Sequence, residues 1–459
     1  MKKQLFFDDS LLFGRDNVKR VLGKPEVVGE YNDGISSTDF CTGSVFKLDD
    51  GRYRMLYFGH STEFEGKKLF SAISDDGVNF APEKLNLGKD YPHEIMQLPN
   101  GGEVAFIFED SHSAGRYKLL MAEFDGARFS VNDVIYVSDD LLHWEKCEGL
   151  TWGDGAEPLA SVFYNKHRGE YTIMQRPFWG VRTVGCKTTK DWQSFTEYRN
   201  ALGVDSRDDA LSEIYGLYAF EHDGTYVGIT HIYEGLHSEY NAKYKNGRIS
   251  CQLSYSNDGE YWKRGPAEYL VKGDEEYPMR WLAGNVIRDD GIFLYGSASR
   301  LEHGDAFHKP GNGNLFIYKL HSDGFVSLKS ENNGIPARVI TREKVWHGGE
   351  LHLNVNAKDV KVAVYETLVS ENLGGNALGI AEPIAGYSAE ECIAFSGDSS
   401  DFVPRFKSGK TVDDLRGRTL VFEIIFSDGE LYSLSGDYTD VFNTEGARYR
   451  LFGILPDRK

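Results

Sequence analysis

One pattern recurs along the chain and restricts what it can fold into: an apolar strand, a polar turn holding glycine, and a second apolar strand. It occurs as "SVFKLDDGRYRMLYF" from Ser44, "EIMQLPNGGEVAFIF" from Glu94, "SVFYNKHRGEYTIM" from Ser161, "YAFEHDGTYVGI" from Tyr218 and "NVIRDDGIFLYG" from Asn285. The turn glycines Gly51, Gly102, Gly169, Gly224 and Gly291 supply the positive φ of tight hairpins, and β-branched and aromatic residues flank them. A third strand follows most of these pairs and closes on an acidic turn and an aromatic: "SAISDDGVNF" at Phe80, "YVSDDLLHW" at Trp144, "CKTTKDWQSF" at Phe195 and "LSYSNDGEYW" at Trp262. The fifth unit has "LFIYKLHSDGF", ending at Phe325. Each aromatic is expected to fill the gap between neighbouring sheets.

Hairpins that recur every 51 to 67 residues, with no long amphipathic helix between them, predict four-stranded blades arranged radially. The expected fold is therefore all-β: a five-bladed β-propeller over about residues 31–328, in a domain spanning 1–328 whose N-terminal segment 1–30 packs on it. After Phe325 the rhythm stops. Residues 329–459 carry their own alternating runs, "ELHLNVNA", "VKVAVYE", "TLVFEIIF" and "ELYSLSG", which suit an accessory β-sandwich of jelly-roll type. Its expected role is to buttress the propeller, with carbohydrate binding as the alternative.

A formal net charge of -19, with no basic stripe to offset it, argues against nucleic-acid and anionic-membrane partners. A neutral oligosaccharide or small glycoside fits better, and rings with polar tips, 13% of the chain, suit both strands and sugar faces. In the opening "MKKQLFFDDSLLFGRD", Asp8 and Asp9 interrupt the apolar run before it reaches signal-peptide length. Five scattered cysteines without CxxC spacing point to neither disulfides nor zinc, so the expected location is cytoplasmic. No HExxH, EF-hand or Cys/His spacing asks for a metal, and no cofactor is expected. Homo-oligomerisation is left open.

In a propeller, the residues leading into each innermost strand crowd one mouth of the central channel. Counting back from the turn glycine compares equivalent positions: Asp39 lies twelve residues before Gly51, Glu157 twelve before Gly169 and Glu213 eleven before Gly224. Converging carboxylates raise one another's pKa, a cost that glycoside hydrolysis uses, with one carboxyl as proton donor and a second acting on the anomeric carbon. The plain alternative is that these are strand-start or turn residues bound to backbone amides. Asp90 also lies twelve before Gly102, and in "KDYPHEIM" His93 or Glu94 is the rival inward residue.

Further candidates for the substrate wall are Asp110, His112 and Arg116 in "FEDSHSAGRYKLL", Arg176, Phe178 and Trp179 in "MQRPFWG", and Tyr215 two residues past Glu213. "THIYEGLHSEY" adds His231, Tyr233 and His237, and "DEEYPMRW" adds Glu276, Arg280 and Trp281. His303, His308 and Lys309 follow near the end of the fifth unit.

The five hairpins with acids at the starts of strands in units one, three and four resemble the five-bladed glycoside hydrolases that act mostly on furanosides, the invertase, levanase, arabinanase and β-xylosidase superfamily. "LFFDDSLLF", "GSVFKLDDGRYRMLYFG", "EIYGLYAFEHDGTYVGI", "QLSYSNDGEYW" and "DGFVSLKS" are similar to a less characterised bacterial branch with a C-terminal β-sandwich. The resemblance implies a glycosidase acting at the end of a furanoside-containing oligosaccharide, with fructofuranosyl or arabinofuranosyl as the sugar. It assigns Asp39 as nucleophile or base, Glu157 as orienting and pKa-tuning group and Glu213 as general acid. "STDFCTGS" lacks the family's Asp-Pro, which makes Asp33 a rival to Asp39, and "AEPL" stands where Arg-Asp-Pro is the pattern. Two other readings keep the fold: a glycoside phosphorylase, with Arg176, Arg280, His303 and Lys309 for phosphate, and a non-catalytic carbohydrate-binding propeller.

Overall fold

The computed structural model describes residues 2–441 except 36–43, 114, 125–130, 154–159, 167, 178, 241–244, 307–312 and 367–381. Among the described residues the protein is all-β, with one short helix, α1 (His303–Ala306), and two single turns of 3-10 helix. No helix among them is long and apolar enough to cross a membrane.

The chain opens with β1 (Lys2–Leu5), β2 (Leu12–Asp16), β3 (Val18–Leu22) and β4 (Glu26–Tyr31). Five antiparallel meanders follow. The first is β5 (Ser44–Lys47), β6 (Tyr53–His60), β7 (Lys67–Ser74) and β8 (Ala81–Pro82), with β9 (Glu94–Gln97) also on β7. The second is β10 (Glu103–Glu109), β11 (Tyr117–Phe124), β12 (Val131–Ser138) and β13 (Glu145–Lys146). The third is β14 (Ala160–Asn165), β15 (Glu170–Gln175), β16 (Val184–Thr189) and β17 (Arg199–Leu202). The fourth is β18 (Ser212–His222), β19 (Thr225–Tyr240), β20 (Lys245–Ser256) and β21 (Lys263–Val271). The fifth is β22 (Met279–Arg288), β23 (Gly291–Ser299) and β24 (Gly313–Leu320), and its outer strand is β4, donated from the start of the chain.

The first strands form a closed circuit of contacts, β5 to β10, β10 to β14, β14 to β18, β18 to β22 and β22 back to β5. Between them lies a narrow cavity of about 200 Å³ whose walls include Val45, Ile107, Val162, Tyr218 and Asn285, one from each meander.

Four of the five expected hairpins form with the expected pairing. The second does not. β9 pairs with β7 of the first meander rather than with β10, because Pro99–Gly101 makes a 3-10 turn, with Asn100 at φ 52°, that redirects the chain instead of folding it back. Gly102 is therefore not a hairpin glycine, and counting back from it does not compare like positions.

The third strands end in one repeated turn. Ser74, Ser138, Thr189 and Ser256 each stand two residues before an aspartate, and each hydroxyl accepts the amides two and three residues on. The aspartates, Asp76, Asp140, Asp191 and Asp258, accept two further amides, closing the turn without water. The residue after each aspartate has positive φ. Gly77 and Gly259 adopt it freely, whereas Leu141 and Trp192 hold it at φ 68° and 58° while buried, so burial outweighs the strain. Neighbouring meanders cap these turns: Arg54 Nη1 donates to Asp140 O at 2.9 Å and Asn165 Nδ2 to Asp258 O at 2.8 Å. The closing aromatics lie between sheets as expected, Phe80 against Tyr295 and Trp262 against Phe163.

The remaining strands are β25 (Val326–Ser330), β26 (Ala337–Thr341), β27 (Lys344–Tyr365), β28 (Phe395–Phe402) and β29 (Thr419–Asp440). Hydrogen bonding is continuous through eight strands, which curl over an apolar core containing Trp346, Leu353, Phe422 and Ile424, where two separate sheets were expected. The four runs of the sequence merge into two strands of 22 residues, β27 and β29. Asp359 and Asp428, which resemble turn residues, sit at positive φ beside register shifts, so the strands bend there without ending.

The N-terminal segment is divided. β1, β2 and β3 pair with β29, β26 and β25, while β4 joins the fifth meander. Asp323, between β24 and β25, fastens this arrangement. Its buried carboxylate takes Lys3 Nζ at 2.9 Å, His222 Nε2 at 2.8 Å, Ser433 Oγ at 2.6 Å and Asn354 Nδ2 at 3.2 Å.

Candidate functional site

Glu213 is the second residue of β18 and pairs with Tyr233 of β19. Two residues on, the register shifts between Ile214 and Gly216, so Tyr215 is the extra residue of a bulge, the kind of kink that re-aims a side chain. Arg182, on the segment between β15 and β16, crosses this strand start. Its Nη1 lies 2.6 Å from Glu213 Oε2, and the Ile214 amide donates to Arg182 O at 3.2 Å. The guanidinium carbon stands 5.0 Å from the centre of the Tyr233 ring and 5.4 Å from that of Tyr215. Arg182 was not singled out by the sequence.

A buried aromatic wall backs the pair. The Tyr215 hydroxyl and His303 Nε2 of α1 are 2.7 Å apart, Arg176 lies 4.7 Å over the Tyr215 ring, and Trp281 meets that ring edge-on at 5.2 Å. Tyr233 donates its hydroxyl to Asn246 O at 2.9 Å, and burial, aided by Glu213 and opposed by Arg182, pushes its pKa up to about 12. In front opens a cleft of about 570 Å³ bounded by Glu213, Arg182, Trp179, Val181, Val204 and Leu211. That volume lies within the roughly 300–1,000 Å³ typical of small-molecule sites. Trp179, on the same segment as Arg182, is 44% exposed.

A second acid lies between β4 and β5. Asp33 Oδ2 accepts the Tyr57 hydroxyl at 2.9 Å and lies 3.4 Å from His93 Nε2, while Oδ1 accepts the Ile35 amide at 2.8 Å. Tyr31 stands 2.9 Å behind Tyr57, so the hydroxyls run in a chain toward the carboxylate, whose side chain is wholly buried. Asp39 and Glu157, assigned as partners of Glu213, lie outside the described residues, as do Phe178, His308 and Lys309. The side chain of His237 is likewise outside them.

Several residues read as substrate contacts serve the framework. Glu94 and Lys68 form an internal ion pair at 2.8 Å, both side chains 4% exposed. Asp110 follows β10, and the residues just before it share the axial cavity with Tyr218 to Glu221, so it lies at the end of the inner strands away from Glu213. There it takes Lys118 Nζ at 2.6 Å and the Tyr171 hydroxyl at 2.8 Å. Glu276 is exposed and pairs with Arg300, and Arg280 is held by Asp274 and Tyr318. His231 and Trp281 stack at 4.0 Å behind the wall, both buried. His231 Nε2 lies 2.8 Å from Leu282 O, which can only accept, so the proton is on Nε2 and Nδ1 is an unprotonated acceptor with no hydrogen-bond partner among the described residues. Among the described residues no three His, Cys, Asp or Glu side chains are grouped to hold a metal ion.

Protein-family models give no match to the chain, and curated proteins give none. Solved structures do. One, reported for the GH130 family of mannoside phosphorylases that contains glycoside hydrolases targeting β-1,2 mannosidic linkages in Candida mannan, is 17% identical, over 65% of this chain and 94% of that one, with a TM-score of 0.41. A glycosyl hydrolase from Bacteroides ovatus is 16% identical over 65% and 94%, with a TM-score of 0.41. A β-1,2-mannobiose phosphorylase from Listeria innocua, in complex with β-1,2-mannobiose, is 13% identical over 66% and 96%, with a TM-score of 0.43. The first and third are described by mannosides, not by the invertase and arabinanase branch. At these identities and TM-scores the likeness establishes neither fold nor chemistry for this chain.

Proposed function

We propose that the five meanders are the blades of a β-propeller and that the protein breaks glycosidic bonds at the rim where β18 begins. The observation that carries the reading is the Glu213–Arg182 pair at the wall of a cleft of small-molecule size, backed by buried aromatics. The circuit of inner strands supports the blades. Glycoside cleavage needs two carboxyl groups flanking the bond. Glu213 supplies one, and Asp39 or Asp33 supplies the second, with Glu157 orienting the sugar.

Beside Arg182 we read Glu213 as a base, nucleophile or charge-stabilising group, where the resemblance implies a proton donor. Glu213→Gln separates the two. It is expected to lower kcat about 1,000-fold on glycosides with good and poor leaving groups alike, whereas loss of a general acid spares the good ones. Unchanged turnover would remove Glu213 from the chemistry. The same screen, run with aryl furanosides and pyranosides, tests the furanoside preference that the resemblance implies.

Phosphorolysis is the second reading, favoured by Arg182 at the cleft wall, since a guanidinium suits phosphate. Phosphate would have to compete with Glu213 for it, so hydrolysis is placed first. Turnover that rises with inorganic phosphate and yields sugar phosphate decides for the second.

A further inference from the structure

The cleft in front of Glu213 is divided by chemistry. Its charge is concentrated at one wall, in Glu213 and Arg182. Much of the rest of the lining is apolar: Trp179, Val181 and Val204 are 44%, 65% and 47% exposed, and Leu211 and Ala210 join them. Thr183, Asn200, Ser212 and Asn246 are neutral polar members of the same lining, and the Thr183 hydroxyl donates toward Leu202 O at 2.7 Å and Asn200 Oδ1 at 3.1 Å. Trp179 is braced rather than loose, its ring edge-on to Tyr198 at 6.3 Å and its amide donating to Pro177 O at 3.0 Å.

Exposed apolar side chains gathered around one concavity mark a binding surface, and here they share the lining with Glu213 and Arg182, its charged members among the described residues. A chain of sugars needs hydrogen-bonding groups along its length. The large exposed side chains of this lining are a flat indole and branched aliphatics. We infer that the cleft holds the leaving group of the substrate and that this group is apolar and planar, so that the substrate class is aryl or similarly apolar glycosides with the sugar at Glu213 and Arg182. The inference rests on the glycoside-cleaving reading and narrows its substrate.

The test is calorimetric titration of the full chain carrying Glu213→Gln with matched phenyl and methyl α-L-arabinofuranosides and β-D-mannopyranosides. The phenyl member of a pair is expected to bind about tenfold more tightly. Trp179→Ala, and separately Val204→Asp, which places a charge on the exposed apolar side, should each bring that ratio close to one. A ratio near one in the starting protein, a ratio that survives both substitutions, or no binding of any phenyl glycoside would overturn the inference. Turnover assays keep the two claims apart. Wild-type protein that cleaves methyl and phenyl pairs equally well defeats the apolar leaving-group site and leaves glycoside cleavage standing, whereas phenyl selectivity without any bond cleavage does the reverse.

Discussion

Arg182 Nη1 and Glu213 Oε2 are 2.6 Å apart, with the Tyr233 ring 5.0 Å from the guanidinium carbon and both residues in the cleft lining. The pair joins two segments that approach only in the folded state. Arg182→Ala is expected to lower kcat/KM on a phenyl glycoside about 100-fold, and Arg182→Lys to recover part of the loss, because lysine restores the charge and not the planar fork. Steady-state kinetics with folding checked by circular dichroism tests this, and equal activity of Ala and Lys variants would mean that the pair is structural.

The Tyr215–His303 contact ties α1 to the bulge of β18. Tyr215→Phe removes the hydrogen bond to His303 and keeps the ring beside Arg176 and Trp281. We expect a stability loss of about 1 kcal/mol, seen as a lower urea midpoint at constant slope. A larger loss with a changed slope would show that α1 detaches.

Burial lowers the His231 pKa to about 4, with only the bond to Leu282 opposing it. The unfolded imidazole titrates near its ordinary value of about 6.5. Stability from the neutral ring is therefore fully present above that value and is lost as pH falls through the interval down to about 4. His231→Gln should flatten the melting temperature between these limits while lowering it at neutral pH. NMR titration of the wild-type ring should show no protonation at pH 5.5.

Burial alone would raise the Asp323 pKa. Hydrogen bonds from His222 and Ser433 and the charge of Lys3 outweigh it and hold the carboxyl well below the ordinary range. Its contribution is complete above the unfolded carboxyl value of about 3.9 and fades as pH drops below it. Asp323→Asn leaves Lys3 with Asp223 as its anionic partner and removes the charge facing His222, so we expect a loss of about 2 kcal/mol at pH 7 and a shallower acid limb of the stability profile. Denaturant melts from pH 3 to 7 test both.

The third strands are legible in sequence because serine or threonine two residues before aspartate spells out its own hydrogen bonds, which need no distant partner. The β9 segment is not, since "PNGG" suits a hairpin and a 3-10 turn equally, and the 3-10 turn it takes leaves β9 to pair with β7. Asp359 and Asp428 mislead for a related reason: aspartate at positive φ serves a bend within a strand as well as a turn between strands. Counting back from turn glycines finds Glu213 because its strand has a two-residue turn. It cannot find Arg182, which reaches the site from a segment between strands, where no periodicity fixes its position.

The path of the chain carries one more consequence. β4, which ends at Tyr31, pairs with β24, which begins at Gly313, and β1 to β3 lie among strands later still. Residues 2–31 find these partners only after β24 to β29 have been made, and until then the circuit of sheets waits open. They work like one belt passed through two buckles, and deleting them should loosen both sheets at once.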